Sequence, residues 1–482
     1  MTPQAKHHPR SRLRLSVAAL GAAALALAAC GSSGSSGTTP TTTNAGTKAS
    51  DAAACGLSAF ASAKKPVNVT FWHQLQKSNN TWLVQTINRF NSSQRDIHVT
   101  LNQLPSYQDL FTKYKAGLVS GDLPTVAEFE DTTPQQLIDS RSTIPVQDCI
   151  DATGYSLKDY VPRTLAFYAR SGVQWSMPWA VSNVVLFYNP VMFRKAGLDP
   201  NKPPTTLAEV TADSKKIVAS GAAKHGVALP EKSYVFEFLL ARSGGVLVNN
   251  ENGRASRATA ADLTSPTAEK LWSWWGNMVR SGLGLNTGSD VNSYDHLIAL
   301  ATGSAAMTFE ASSAIGPVEA VLGTGAYPGV RVSIAPLPGL TPTGGVPVAD
   351  GSLWISSAAS LAQRAAAWKL IEFLDTPAEQ ASLAAEAGYA PVRPSATSIP
   401  VLAKRWTLDP DYRVSYDQLI AGGTTPAEVG PLIGDYQGFR NAVVDGLVLM
   451  DQSGKSPAAA SATAEQEANV AITAYNSRIG AG

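Results

Sequence analysis

Five consecutive residues, Val184, Val185, Leu186, Phe187 and Tyr188, constrain the fold more than any other stretch of the chain. A β-branched and aromatic run with no polar alternation suits a strand buried on both faces, as in a sheet covered by helices. Asn189 and Pro190 end the run, and Gly197, Asp199, Pro200, Pro203 and Pro204 exclude regular structure after it. Thr206 and Glu209 then offer a capping box for a helix running to about Gly221.

The preceding sequence alternates strand and helix patterns. Residues 67–72 read as a strand, followed by a helix with Leu83, Ile87 and Phe90 at helical spacing. Residues 97–101 alternate apolar and polar, Tyr107, Leu110, Tyr114 and Leu118 mark a second helix, and 125–129 read as a third strand. This rhythm predicts a mainly parallel sheet, with ligand contacts in loops beyond the carboxyl ends of its strands. Residues 210–305 read as mostly helical, with Trp272, Trp274 and Trp275 as mainly core. Residues 307–309 and 353–357 are expected as strands crossing between two lobes, and 332–335 as a strand of the first lobe. Helices are expected over 365–374, after the Thr376-Pro377-Ala378-Glu379 cap, and over 430–450 and 463–478.

A chain of 482 residues can bury two substantial cores. Lys and Arg number 38 and Asp and Glu 37, with no block of like charge, so no electrostatic footprint for nucleic acid is present. Lys6, Arg10, Arg12 and Arg14 precede an apolar run from 15 to 29, shorter than the roughly 20 residues of a membrane span. The sequence Leu27-Ala28-Ala29-Cys30 resembles the lipobox of bacterial lipoproteins, which implies cleavage of 1–29 and lipidation of Cys30. Losing those four positive charges, with no acidic residue among them, changes the formal charge from +1 to −3. The Gly/Ser/Thr-rich stretch that follows reads as a flexible tether, with a reach of roughly 25 Å for about 20 residues. Cys55 and Cys149 remain, and in an oxidising compartment they suggest a disulfide, with two free thiols as the alternative.

Enzyme motifs are sparse. His7, His8, His73, His98, His225 and His296 have no metal-ligand spacing beyond the adjacent first pair, and HExxH, P-loop, post-strand GxGxxG and CxxC patterns are absent. Glu128 and Glu130 admit a glycosidase dyad, although solvated loop carboxylates are the plainer reading. His73 reads as a structural histidine that approaches a cleft.

The segment 178–209, with PWAVSNVVLFYNPVMFRKAGLDP at its start, resembles the lobe-crossing segment of extracytoplasmic solute-binding proteins of ABC importers. The same resemblance extends to VTFWH (69–73), MTFEASS (307–313), GSLWIS (351–356) and EAGYAPV (386–392). It implies an α/β, two-lobed, type II periplasmic-binding-protein-like fold with a multi-strand hinge. The expected division is 1–29 leader, 30–64 lipidated Cys and tether, 65–180 plus 314–356 lobe 1, and 181–313 plus 357–482 lobe 2. It also implies a non-enzymatic, cofactor-free, metal-free monomer outside the cytoplasmic membrane, anchored there by lipid, that delivers a polar solute to permease subunits.

Within that family the sequence is similar to the glycerol 3-phosphate and glycerophosphodiester branch, which places ligand contacts at Tyr107, Asp131, Ser182, Ser312, Tyr389 and Arg440. A guanidinium at Arg440 matches a phosphate in bidentate geometry. Two departures bear on the ligand: Glu231 and Tyr234 stand in a region where that branch carries a tryptophan pair, and Asp350 stands where it carries glycine. Asp350 and Tyr234 join the expected contacts on that account, and a carboxylate there tolerates a cationic head group or an unphosphorylated sugar. A mono- or oligosaccharide is therefore the second expected ligand, and an exported glycan-processing enzyme the alternative of a different class.

Overall fold

The structure, a computed structural model, describes residues 53–290 and 292–480; the leader, Cys30 and the tether up to residue 52 lie outside them. In chain order its strands are β1 (Val67–His73), β2 (Ile97–Gln103), β3 (Val126–Phe129), β4 (Thr143–Ile144), β5 (Ala169–Arg170), β6 (Val173–Gln174) and β7 (Met177–Ser182). They continue as β8 (Val184–Tyr188), β9 (His225–Leu229), β10 (Gly284–Asn286), β11 (Ala305–Ala311), β12 (Ser333–Ala335) and β13 (Ala349–Ser356). The helices that matter here are α1 (Leu57–Ser62), α2 (Lys77–Ser93), α3 (Tyr107–Ser120), α4 (Leu207–Ala219), α5 (Ser233–Arg242) and α6 (Pro266–Arg280). After β13 come α7 (Leu361–Leu374), α8 (Pro377–Ala387), α9 (Asp411–Ala421), α10 (Tyr436–Asp451) and α11 (Pro457–Arg478).

Two mixed sheets organise the chain. The first has the order β2-β1-β3-β13-β4, with β7 also on β13, and the second β10-β9-β11-β8-β12. The expected parallel βαβ units are present as β1 with β2 and β1 with β3, while β13 runs antiparallel to β3, β4 and β7. A single residue, Asn183, separates β7 of the first sheet from β8 of the second. It is fully buried, donating to the Ser415 carbonyl at 2.9 Å and accepting from Gln418 at 2.8 Å. The β8 run behaves as its composition requires: Val184, Leu186 and Tyr188 enter one core, and Val185 and Phe187 the other.

The α4 capping box forms, with Thr206 and Glu209 each serving the other's backbone. Leu83, Ile87 and Phe90 are buried on α2, and Trp272, Trp274 and Trp275 belong to the second core or its edge. Gly446 of α10 lets α11 and α6 approach closely, since a Cβ there would lie 2.9 Å from both the Ala464 Cβ and the Trp272 ring.

Four expectations are corrected. Residues 53–64 are not free tether: α1 buries Phe60, and the adjoining Cys55 is bonded to Cys149 with Cα atoms 4.9 Å apart. Residues 210–305 contain two strands, β9 and β10. Strand 332–335 belongs to the second sheet, because β12 pairs antiparallel with β8. The segment 357–482 does not go wholly to the second lobe: α7 packs on β1 and β13 of the first sheet and α8 on α2, whereas α9 lies against β8 and β12 of the second sheet and α10 and α11 pack in the second core. The repeated Ala/Leu/Trp pattern of these helices states that they need cover, not which sheet provides it.

Candidate functional site

A cleft of about 990 Å³ is lined by residues associated with both sheets. On the side of the first sheet, Gln74 and Gln76 follow β1, Glu130 and Asp131 follow β3, and Tyr107 opens α3. These positions are at the carboxyl ends of parallel strands, where an α/β sheet gathers ligands. Asp350 comes from β13 and Tyr389 from the turn after α8. The second side supplies Lys232, Tyr234 of α5, Tyr294, Glu310 of β11 and Arg440 of α10.

Most charges in this cleft are already matched. Glu310 accepts two contacts from the Tyr234 hydroxyl at 2.7 and 2.8 Å and meets His296 Nε2 at 2.7 Å and Lys232 Nζ at 3.8 Å. Burial pushes its carboxyl up, but the hydrogen bond and charge of His296, with Lys232, hold it down at about 2. Arg440 is held at 2.7 Å by Asp131 and 3.1 Å by Glu237, with Glu130 at 3.8 Å and its guanidinium 4.8 Å from the Tyr436 ring centre. Behind Tyr107, fully buried Glu128 accepts from the Tyr107 hydroxyl at 2.8 Å and the Gln74 amide at 3.1 Å. Burial raises its carboxyl to about 7 against those two hydrogen bonds.

Asp350 has a different environment. Ser313 donates to its Oδ2 at 3.0 Å, and among the described residues no cationic side chain lies in ion-pair range. Its carboxyl is pushed up to about 6, first by burial and then by the charges of Asp131 and Glu310, with Ser182 and Ser313 opposing. The backbone here is left-handed, φ 66°, at a register shift of β13 against β7. Glycine is the residue that adopts this conformation without strain, and a bulge re-aims a side chain. Asp350 thus occupies a glycine-like backbone position and brings a carboxylate to the cleft.

The structure brings together Tyr107, Asp131, Tyr234, Asp350, Tyr389 and Arg440 along this cleft. Ser182 and Ser312 do not line it: both are fully buried at the sheet crossings, and Ser312 donates to Ser415 at 2.9 Å. Ser313, one position on, is the serine that reaches the cleft. Glu231 lines it but is tied to Asn286 and Gln452 at 2.7 and 2.8 Å. His73 is buried beside Phe71, held neutral by burial with its pKa down at about 4, and is not a lining residue. Sequence reasoning missed Glu237, Glu310, Lys232 and Tyr294; Glu310 lies inside the quoted MTFEASS motif, which was the available signal. Among the described residues, no group of three or more His, Cys, Asp or Glu is placed to hold a metal ion.

Residues 85–412 match the family model described as bacterial extracellular solute-binding protein. The chain belongs to that family. It is 26% identical over 332 residues to the sn-glycerol-3-phosphate-binding periplasmic protein UgpB of Brucella abortus (strain 2308), covering 67% of this chain and 74% of the relative. Its fold is similar to the cyclic alpha-maltosyl-1,6-maltose binding protein from Arthrobacter globiformis, at TM-score 0.67 and 21% identity over 85% of this chain and 100% of the other. It is also similar to UgpB from Mycobacterium tuberculosis, solved in complex with glycerophosphocholine, at TM-score 0.71 and 20% identity over 85% and 99%. The protein is an extracytoplasmic solute-binding protein of the ABC-importer type, with the expected two-lobed α/β fold. No helix among the described residues is long and apolar enough to cross a membrane.

Proposed function

We propose that this binding protein is anchored through lipidated Cys30 and captures a polyhydroxylated solute of the saccharide class, which permease subunits then receive. The observation that carries the ligand class is the engagement of Arg440 by Asp131, Glu237 and Glu130. An incoming phosphate would have to displace carboxylates from this guanidinium, beside the further negative charge of Asp350. Sugar hydroxyls carry no net charge and both donate to carboxylates and accept from amides, so the same walls suit them. Tyr107, Tyr234 and Tyr389 supply aromatic surface, Asp131 and Asp350 accept hydrogen bonds from the hydroxyls, and Arg440 orients Asp131. Ser182 and Ser312 hold the sheet crossings.

A thermal-shift screen tests this reading with mono- to tetrasaccharides, glycerol 3-phosphate and glycerophosphocholine. A bound solute at about a hundred times its Kd stabilises the folded state by about 2.7 kcal/mol. The expected hits are saccharides, and hits confined to the phosphates would overturn the reading. The glycerophosphodiester reading has one specific support, the similarity to the glycerol-3-phosphate-binding relative, and it requires Arg440 to exchange a carboxylate for phosphate on binding.

A further inference from the structure

Charge matching in the cleft leaves two acids without a cation, the exposed Asp109 at the rim, which accepts from Ser106, and Asp350 further in. Glu310 has His296 and Lys232, Asp131 and Glu130 have Arg440, and Glu231 has two amides, whereas Asp350 has only neutral hydroxyl partners. The cavity in front of it is large enough for a solute of several rings. Tyr107, Tyr234, Tyr294 and Tyr389 line the same cavity, each within electrostatic reach of the Asp350 carboxylate. A carboxylate without a cation, in a cavity whose lining also carries tyrosines, is a receptor for a cationic nitrogen. Resting on the saccharide reading above, we infer that Asp350 selects a sugar carrying a protonated amine, whose N–H groups donate to the carboxylate.

The carboxylate has about four acceptor positions, of which Ser313 takes one at Oδ2 and the neighbouring Ser182 hydroxyl at most one more. Donors on the ligand nitrogen can occupy the remainder, which a quaternary ammonium, lacking N–H groups, cannot do. The two other basic side chains facing this part of the cleft are Lys232, bound to Glu310 and the Ser293 carbonyl, and Lys77, placed 5.7 Å from the Tyr294 ring centre. Neither pairs with Asp350.

Calorimetric titration at neutral pH compares glucosamine oligomers of two to four sugars with their N-acetylated and N-trimethylated forms, on the parent chain and on D350N. Asparagine adopts the left-handed conformation readily, so this variant keeps the local backbone. The expected result is binding of the amine form about tenfold or more tighter than the acetylated form, a preference of at least about 1.4 kcal/mol, with the preference lost in D350N. Equal or tighter binding of the acetylated form, or an unchanged preference in D350N, would overturn the inference while leaving the saccharide reading intact. Equally tight binding of the trimethylated form would overturn the hydrogen-bonding amine as the selected group. Silence of every sugar in this series and in the neutral screen would overturn the saccharide reading and this inference together.

Discussion

Arg440 joins Asp131, which follows a strand of the first sheet, to Glu237 of a helix packed in the second core. Removing the guanidinium leaves buried carboxylates facing each other, so R440A is expected to lose about 3–5 kcal/mol of stability, measured as the shift in urea midpoint. The double variant R440A/E237Q should recover part of that loss, whereas an Arg that served only a ligand would leave the midpoint unchanged. Asp375 gives a second test at this scale. It is fully buried, accepts from Tyr160 at 3.0 Å, and burial pushes its carboxyl from 3.8 up to about 8. The unfolded chain releases this proton near 3.8 and the folded chain only near 8, so this group lowers stability as pH rises between those values. D375N should therefore flatten the fall in stability between about pH 5 and about pH 8, and an unaltered slope in denaturation curves would contradict the assignment. Tyr107, Asp131, Tyr389 and Arg440 were legible as cleft residues through motif resemblance. The engagement of Arg440 was not, because Glu237 lies 203 positions away and its role depends on how the sheets are brought together.

At the level of elements, two-faced burial of β8 and the capping box of α4 were readable because both are local patterns. The sheet to which β12 belongs was not, since three residues pair with β8 across more than a hundred positions and carry no local mark of their partner. The same holds for α7 and α8, whose apolar faces specify cover without naming the core. The close packing of α10 makes a direct prediction. Gly446→Val would drive a side chain into Ala464 and Trp272, and the expected loss is about 1–3 kcal/mol by thermal or chemical denaturation. Cys55 and Cys149 close a loop of 94 positions. C55S/C149S should lose up to about 4–5 kcal/mol under oxidising conditions and should match the parent once the parent is reduced.

For the molecule as a whole, two mixed sheets are connected by buried crossings, and the cleft draws its walls from elements of both. A solute touching both walls stabilises the closed arrangement by the difference in its affinity for the two states, and a permease can read that difference. The acid-rich lining, with Arg440 and Lys232 already paired, sets which solutes can do so. The most direct measurement is calorimetric titration of the chain with neutral oligosaccharides, glucosamine oligomers, glycerol 3-phosphate and glycerophosphocholine side by side. Saturable one-to-one binding of the sugars, without turnover, is expected, with no comparable heat from glycerol 3-phosphate. Tight binding of glycerol 3-phosphate with every sugar silent would contradict it and would mean that Arg440 gives up its carboxylates to the phosphate.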